Sequence, residues 1–207
     1  MTQRIALTFD TEHPDRPHVA AGERRLLDVL ARADVRATFF LQGRWVEAYP
    51  DIAGAIVEAG HRIGNHSHYH VRMPLLSADG FADDVRAAER AIREHVGVDP
   101  RPWLRFPFGA GANDPELRDR LDRAGYRHVG WDVDPQDWDT GATEDGIVSA
   151  LTLGLAEAPG DAIVVLHAWP TPTAAAVERL LPRMRDAGAT FVTIDELGDG
   201  VRATVPA

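Results

Sequence analysis

The sequence predicts an α/β protein built on a parallel sheet or barrel of about seven strands. Three observations carry that expectation. Short apolar runs alternate with longer stretches of helical periodicity, several of those stretches end in Gly just before the next run, and polar residues gather where the short runs stop. A chain of 207 residues, 44% hydrophobic and 26% charged, can bury one sizeable core, so residues 1–207 are expected to form a single domain with its core over about 4–197.

In chain order, Arg4 to Phe9 is an apolar run of strand length. Gly22 to Ala33 carries Leu26, Val29 and Leu30 at helical spacing, and Arg36 to Leu41 returns as a strand. Arg44 to Ala59 reads as one helix closed by Gly60, followed by a strand from His61 to Gly64. Gly80 to Val96 repeats Phe81, Val85, Ala88 and Ile92 along one helical face. Trp103 to Arg105 is a strand, and Pro115 to Ala124 a helix capped by Gly125. Arg127 to Trp131 is again a strand, and Glu144 to Ala156 a helix. Ala162 to His167 is the sixth strand, Pro170 to Ala175 a loop leading into a helix from Thr173 to Ala187, and Thr190 to Val192 the last strand. The tail from Gly198 reads as peripheral.

Composition removes several function classes. The 22 basic residues against 32 acidic ones leave a net charge of -10, which argues against nucleic acid or an anionic membrane surface as partner. There is no cysteine, hence no thiolate metal site and no cysteine nucleophile. All 22 basic residues are arginine, which excludes Schiff-base, pyridoxal-phosphate and phosphate-loop lysines. The sequence as given shows neither a leader pattern nor an apolar run of membrane-helix length, so a cytoplasmic location is expected. Oligomeric state leaves no mark.

The strand ends are chemically richer. Thr8-Phe9-Asp10-Thr11-Glu12-His13 places two carboxylates and an imidazole where the first strand stops; alone, this is equally a solvated acidic turn. After the third strand, Gly64-Asn65-His66-Ser67-His68-Tyr69-His70 sets His66 and His70 four apart, able to share one helical turn and one cation. Ser67 stands where a zinc protease has its glutamate, so a base must come from elsewhere. Either Asp10 or Glu12 can supply it while the other completes a set of two histidines and a carboxylate. The remaining ends carry Arg105-Phe106-Pro107-Phe108-Gly109, Trp131 to Trp138, and Leu166-His167-Ala168-Trp169. Four of the five tryptophans lie in or beside these motifs, and aromatic faces suit sugar rings as well as helix packing.

The order of these pieces resembles the polysaccharide deacetylase family, the NodB-homology domain of carbohydrate esterase family four. The resemblance runs from Ile5 to about Leu197. Its matching segments are Thr8-Phe9-Asp10, Ala37-Thr38-Phe39-Phe40, His66-Ser67-x-x-His70, Arg105-x-Pro107-x-Gly109, Asp134-x-x-Asp137-Trp138 and Leu166-His167-Ala168. It implies a distorted (β/α) barrel and a metal-dependent hydrolase that removes N-acyl groups, usually acetyl, from amino sugars in oligo- or polysaccharides. By position it implies Asp10 as catalytic base, His167 as general acid, Arg105 orienting Asp10 and Asp137 tuning His167. It further implies His66 and His70 as metal ligands, and the backbone N–H of Phe108 as oxyanion donor. Trp138 and Leu166 are expected to wall the acyl pocket.

One departure matters. The family usually carries Asp-Asp-Gly in the first motif, the second Asp binding the metal, whereas here the run is Asp10-Thr11-Glu12. Glu12 lies one residue on and has an extra methylene of reach, so it is expected to replace the missing ligand; Asp15 is disfavoured by the stiff Pro14 before it, and His13 is the alternative, giving an all-histidine set unusual for the family. The expected cofactor is one divalent ion, zinc by ligand type, with cobalt, nickel, iron and manganese open. Alternatives are an O-acetyl esterase using the same site, a catalytically silent sugar-binding relative, and an opener of cyclic amides.

Overall fold

The computed structural model describes residues 2–15, 20–158, 160–198 and 201. Seven parallel strands form one curved sheet: β1 (Arg4–Thr11), β2 (Thr38–Leu41), β3 (Arg62–Asn65), β4 (Trp103–Leu104), β5 (Arg127–His128), β6 (Ala162–His167) and β7 (Thr190–Val192). Its order is β5-β4-β3-β2-β1-β6. β7 shares the β2 edge of β1, pairing Arg4 to Ala6 while β2 takes Thr8 to Thr11. The helices are α1 (Ala20–Arg32), α2 (Gly43–Ala48), α3 (Pro50–Glu58), α4 (Ala78–Val96), α5 (Pro115–Arg123), α6 (Glu144–Glu157), α7 (Thr171–Asp186) and α8 (Ile194–Leu197). This is the expected distorted (β/α) barrel.

Side-chain alternation sorts the core into layers. Ile5, Leu7 and Phe9 of β1 pack outward with Val164 and Leu166 of β6 in the large cluster under the helices. Ala6, Phe40, Trp103, Val129 and Ile163 fill the interior of the sheet, floored by Ile194 and Leu197 of α8. Local chemistry fixes the helix starts: Ser77, Asp114 and Thr143 each accept backbone N–H groups at the heads of α4, α5 and α6. The expected glycine stops hold, with φ of 77°, 79° and 87° at Gly60, Gly125 and Gly188, a left-handed region that side-chain-bearing residues avoid.

Several boundaries differ from expectation. The helix expected over Arg44 to Ala59 is two helices, because Pro50 has no N–H to continue α2 and instead begins α3. The strand expected over Arg127 to Trp131 keeps only Arg127 and His128. The chain then leaves β4 and crosses to β6, where Val133 bridges Val164 and Asp132 N–H donates to the Ile163 carbonyl at 2.8 Å. The loop expected over Pro170 to Ala175 is mostly helix, since Pro170 and Pro172 flank the first residue of α7 rather than interrupting it. Of the tail, Val201 packs against the interior cluster, while 199–200 and 202–207 lie outside the described residues. Among the described residues no helix is long and apolar enough to cross a membrane.

Two glycines provide a paired test of this packing. A Cβ on Gly64 of β3 would meet Phe40 ring carbons at 2.6 Å and the Trp103 carbonyl at 3.2 Å, whereas one on Gly54 in α3 meets nothing within 4 Å. Gly64→Ala is expected to destabilise by about 1–3 kcal/mol through overpacking. Gly54→Ala should stabilise by about 0.5–1 kcal/mol through helix propensity. Urea unfolding midpoints that move in opposite directions confirm both.

Candidate active site

Because all strands are parallel, their C-terminal ends open on one side, and a cavity of about 480 Å³ lies there. Asp10 and His167 enter it from β1 and β6, directly opposite one another in the ladder register. Asp10 is 4% exposed, and its Oδ1 accepts from Arg105 Nη1 at 2.9 Å. Arg105 is fully buried at the end of β4. Its Nε and Nη2 donate to the carbonyls of Val129 and Gly130, each at 3.2 Å, and its guanidinium lies 4.3 Å from the Phe40 ring centroid. Burial pulls the guanidinium below its ordinary value, opposed by the charge and hydrogen bond of Asp10.

His66, His70 and Glu12 offer ligand atoms that all lie within 4.8 Å of one another. His66 Nδ1 faces the Arg105 carbonyl at 3.0 Å. A carbonyl only accepts, so Nδ1 carries a proton, the tautomer that leaves Nε2 as the nitrogen able to ligate. That Nε2 is buried without a hydrogen-bond partner, 3.5 Å from Glu12 Oε2 and 3.6 Å from Asp10 Oδ2. His70 Nε2 contacts the same Glu12 Oε2. Burial lowers the pKa of His70, with Glu12 opposing and His66 assisting, which favours the neutral form that ligation needs. Burial works to raise Glu12, yet the surrounding His13, His66 and His70 hold it well below the usual carboxylate range. An orphaned imidazole lone pair facing two carboxylates in a buried site fits a divalent cation.

These histidines do not share a helical turn. The segment after β3 is a loop in which Ser67 and His70 take positive φ of 67° and 55°. Asp84 of α4, 4% exposed, accepts the His68 and Tyr69 N–H groups at 3.1 and 3.0 Å. Asn65 Oδ1 accepts the Ser67 N–H at 2.8 Å, and Ser67 Oγ accepts the His70 N–H at 3.1 Å. These side chains replace the backbone acceptors a helix would provide, and the two rings end 5.0 Å apart.

His167 Nδ1 lies 2.7 Å from Asp137 Oδ1, and Asp137 Oδ2 accepts from the His167 N–H at 2.9 Å and Thr173 Oγ1 at 2.6 Å. Burial works against a charged imidazole, but the bond and charge of Asp137, helped by Glu12 and Asp10, raise its pKa to about 9. Phe108 adopts φ 59° between Pro107 and Gly109, with its ring 4.5 Å from that of His70. Phe108 and Trp138 line the cavity and remain 54% and 45% exposed. Leu166 does not line it. Alternation turns Leu166 into the core under the helices, and Val165 faces the cavity instead. Trp131 and Trp169 also line it, whereas Trp45 is core and Trp103 fills the interior of the sheet.

A polysaccharide deacetylase family model matches residues 2–129. The chain belongs to the polysaccharide deacetylase family. It is 33% identical to the peptidoglycan-N-acetylglucosamine deacetylase PgdA of Listeria monocytogenes, over 94% of this chain and 39% of that longer protein. With a chitooligosaccharide deacetylase of Rhizobium leguminosarum bv. trifolii it shares 33% identity over 80% of this chain and 71% of the relative. Among solved structures, a family 4 carbohydrate esterase from Streptomyces lividans in complex with acetate superposes with a TM-score of 0.81 at 29% identity, covering 99% and 98% of the two chains. A family 4 pseudoenzyme from Bacillus anthracis superposes with a TM-score of 0.83 at 28% identity, covering 95% and 65%.

Sequence reasoning about this deacetylase-family site missed Asp84 and Thr173 altogether, and named His13 and Trp169 at the strand ends without foreseeing their shared contact with Glu12. Thr173 sat where the expected loop and the expected helix overlap, and no local signal ties that helix start to Asp137. Asp84 left no signal, being one acidic residue among many on α4. Removing Arg105 should expose how tightly the site is built. Arg105→Met leaves Asp10 buried without its cation and is expected to cost about 3–5 kcal/mol. Arg105→Lys, which keeps the charge but loses the fork to Val129 and Gly130, should cost less. Equal unfolding free energies for the wild type and Arg105→Met would refute this account.

Proposed function

We propose that this member of the family hydrolyses an N-acyl group, acetyl foremost, from an amino sugar in an oligo- or polysaccharide. The observation that carries the reading is the juxtaposition of two held pairs, buried Asp10 with Arg105 and part-buried His167 with Asp137, side by side at the ends of adjacent strands β1 and β6 in a cavity that also presents Glu12, His66 and His70. When bound by those three residues, a divalent cation, zinc by donor type, supplies Lewis-acid polarisation of the acyl oxygen and eases deprotonation of an adjacent water.

Asp10, oriented through Oδ1, takes the proton of the attacking water on its other oxygen as the new C–O bond forms. The Phe108 N–H stabilises the charge that develops on the acyl oxygen, a contribution of the kind worth about 3–4 kcal/mol. His167, kept charged by Asp137, then gives its Nε2 proton to the departing nitrogen as the C–N bond breaks, leaving a free acid and an amine. Trp138 and Trp131 offer aromatic faces to the sugar ring. The same groups suit O-acetyl ester hydrolysis. A binding-only role is the second alternative, since the similar Bacillus anthracis protein is a pseudoenzyme.

Protein stripped with a chelator and reloaded with zinc should release acetate from N-acetylglucosamine oligomers. Asp10→Asn and His167→Asn should each lower that rate by about 10²–10⁴-fold. Undiminished release in either variant defeats the role given to that residue. Acetate from acetylated xylan alone selects the esterase. Tight zinc with no acetate from either substrate selects the binding-only reading.

The raised pKa of His167 fixes the sign of the pH response. The acid is charged below about 9 in the metal-free protein, so activity should fall with rising pH on that limb. A cation beside Glu12 cancels part of the negative charge that raises His167, which moves the limb lower in the loaded protein. Stability linked to the same proton is fully present below about 6.5, the unfolded value, and is lost as pH climbs through about 9. Asp137→Asn should lower the His167 titration midpoint followed by NMR; an unchanged midpoint would show that Asp137 does not tune it.

A further inference from the structure

Glu12 is gripped on the side away from the histidine pair. Its Oε2 faces His66 Nε2 and His70 Nε2, while its Oε1 lies 2.8 Å from His13 Nε2 and accepts from Trp169 Nε1 at 3.3 Å. A glutamate carries one more rotatable bond than an aspartate, so an unheld carboxylate could present either oxygen or turn aside. Two donors converging on one oxygen decide which oxygen remains for a cation.

Both donors are themselves held. The backbone of His13 has φ 65°, a left-handed conformation uncommon outside glycine, and its N–H donates to Gln42 Oε1 at 3.1 Å. Gln42 N–H in turn donates to the Thr11 carbonyl at 3.1 Å, tying the end of β1 to the end of β2. The His13 ring packs edge-on against His70 at 5.2 Å and Trp169 at 5.6 Å between centroids. Trp169 approaches from beyond β6, two residues after His167. The mechanism above uses neither side chain, yet both line the cavity and meet at one carboxylate oxygen.

We propose that His13 and Trp169 are positioning residues that aim Glu12 Oε2 at the cation, and so let a glutamate serve beside Thr11, where the family has its aspartate. This rests on the reading of Glu12 as a ligand. Outer partners of metal ligands typically govern about 10- to 100-fold in metal affinity.

The test is the zinc affinity of chelator-stripped protein, measured by competition with a chromogenic chelator. His13→Ala and Trp169→Phe should each bind zinc about 10- to 100-fold more weakly. His13→Gln, whose amide can donate to the same oxygen, should retain most of the affinity, and thermal unfolding of the metal-free variants checks that each is folded. In a Glu12→Ala background, His13→Ala should bring no further loss, because the clamp acts only through Glu12. Wild-type affinity in both His13→Ala and Trp169→Phe overturns the proposal. So does a His13→Ala loss repeated in full in the Glu12→Ala background, which would make His13 a ligand in its own right. Wild-type affinity in Glu12→Ala alone instead overturns the ligand reading beneath it.

Discussion

The buried ion pair between Arg105 and Asp10 is the constraint on which the rest of the site depends. A guanidinium and a carboxylate removed from water are tolerable only when their remaining hydrogen-bonding capacity is met, and here the fold supplies the acceptors. They are the Val129 and Gly130 carbonyls, freed where the chain leaves β4 and crosses to β6. The irregularity of the sheet and the placement of the proposed base therefore have one cause. Arg105 also offers its own carbonyl to His66 Nδ1, which fixes the tautomer of that ring. One residue orients the carboxylate, closes the seam and leaves an imidazole lone pair facing the cavity.

The cavity holds imidazoles whose basicity is shifted in opposite directions. His70 and His167 both lie against carboxylates, yet burial with His66 nearby lowers one, and the twofold contact with Asp137 raises the other to about 9. Burial opposes charge in both cases, so the difference lies in the partner. Asp137 engages both Nδ1 and the backbone N–H of His167 and has its own Oδ2 bonded by Thr173. The proposed acid and the proposed ligand are separated by environment, with the same residue type at each post.

Much of this was legible in the sequence because strand alternation and helical periodicity are strong local signals. The strands, the glycine stops and the strand-end residues Asp10, Glu12, His66, His70, Arg105, Asp137 and His167 could all be read there. What escaped depends on contacts distant in sequence or on a shift of a single residue. Leu166 was expected at the cavity, but the period of two exchanges faces at each step, and Val165 takes that place. The His66 to His70 spacing suggested a helical turn because nothing nearby reveals that Asp84, on another element, would accept the N–H groups of a loop. Pro50 was visible, yet a proline at a helix start and one within a longer helix look alike until the chain direction is known.

The same period of two gives the altered first motif a physical logic. β1 remains in register with β2 through Thr11, which pairs with Leu41, and the Thr11 hydroxyl donates to the Phe40 carbonyl at 3.3 Å. While the strand persists, Asp10 faces the cavity and Thr11 does not; the next residue on the cavity side is Glu12. A carboxylate at position 12 thus suits a first strand extended through Thr11. The reach of the Glu12 side chain and the pairing of β1 through Thr11 belong together, since alternation past Thr11 returns the chain to the cavity side at position 12.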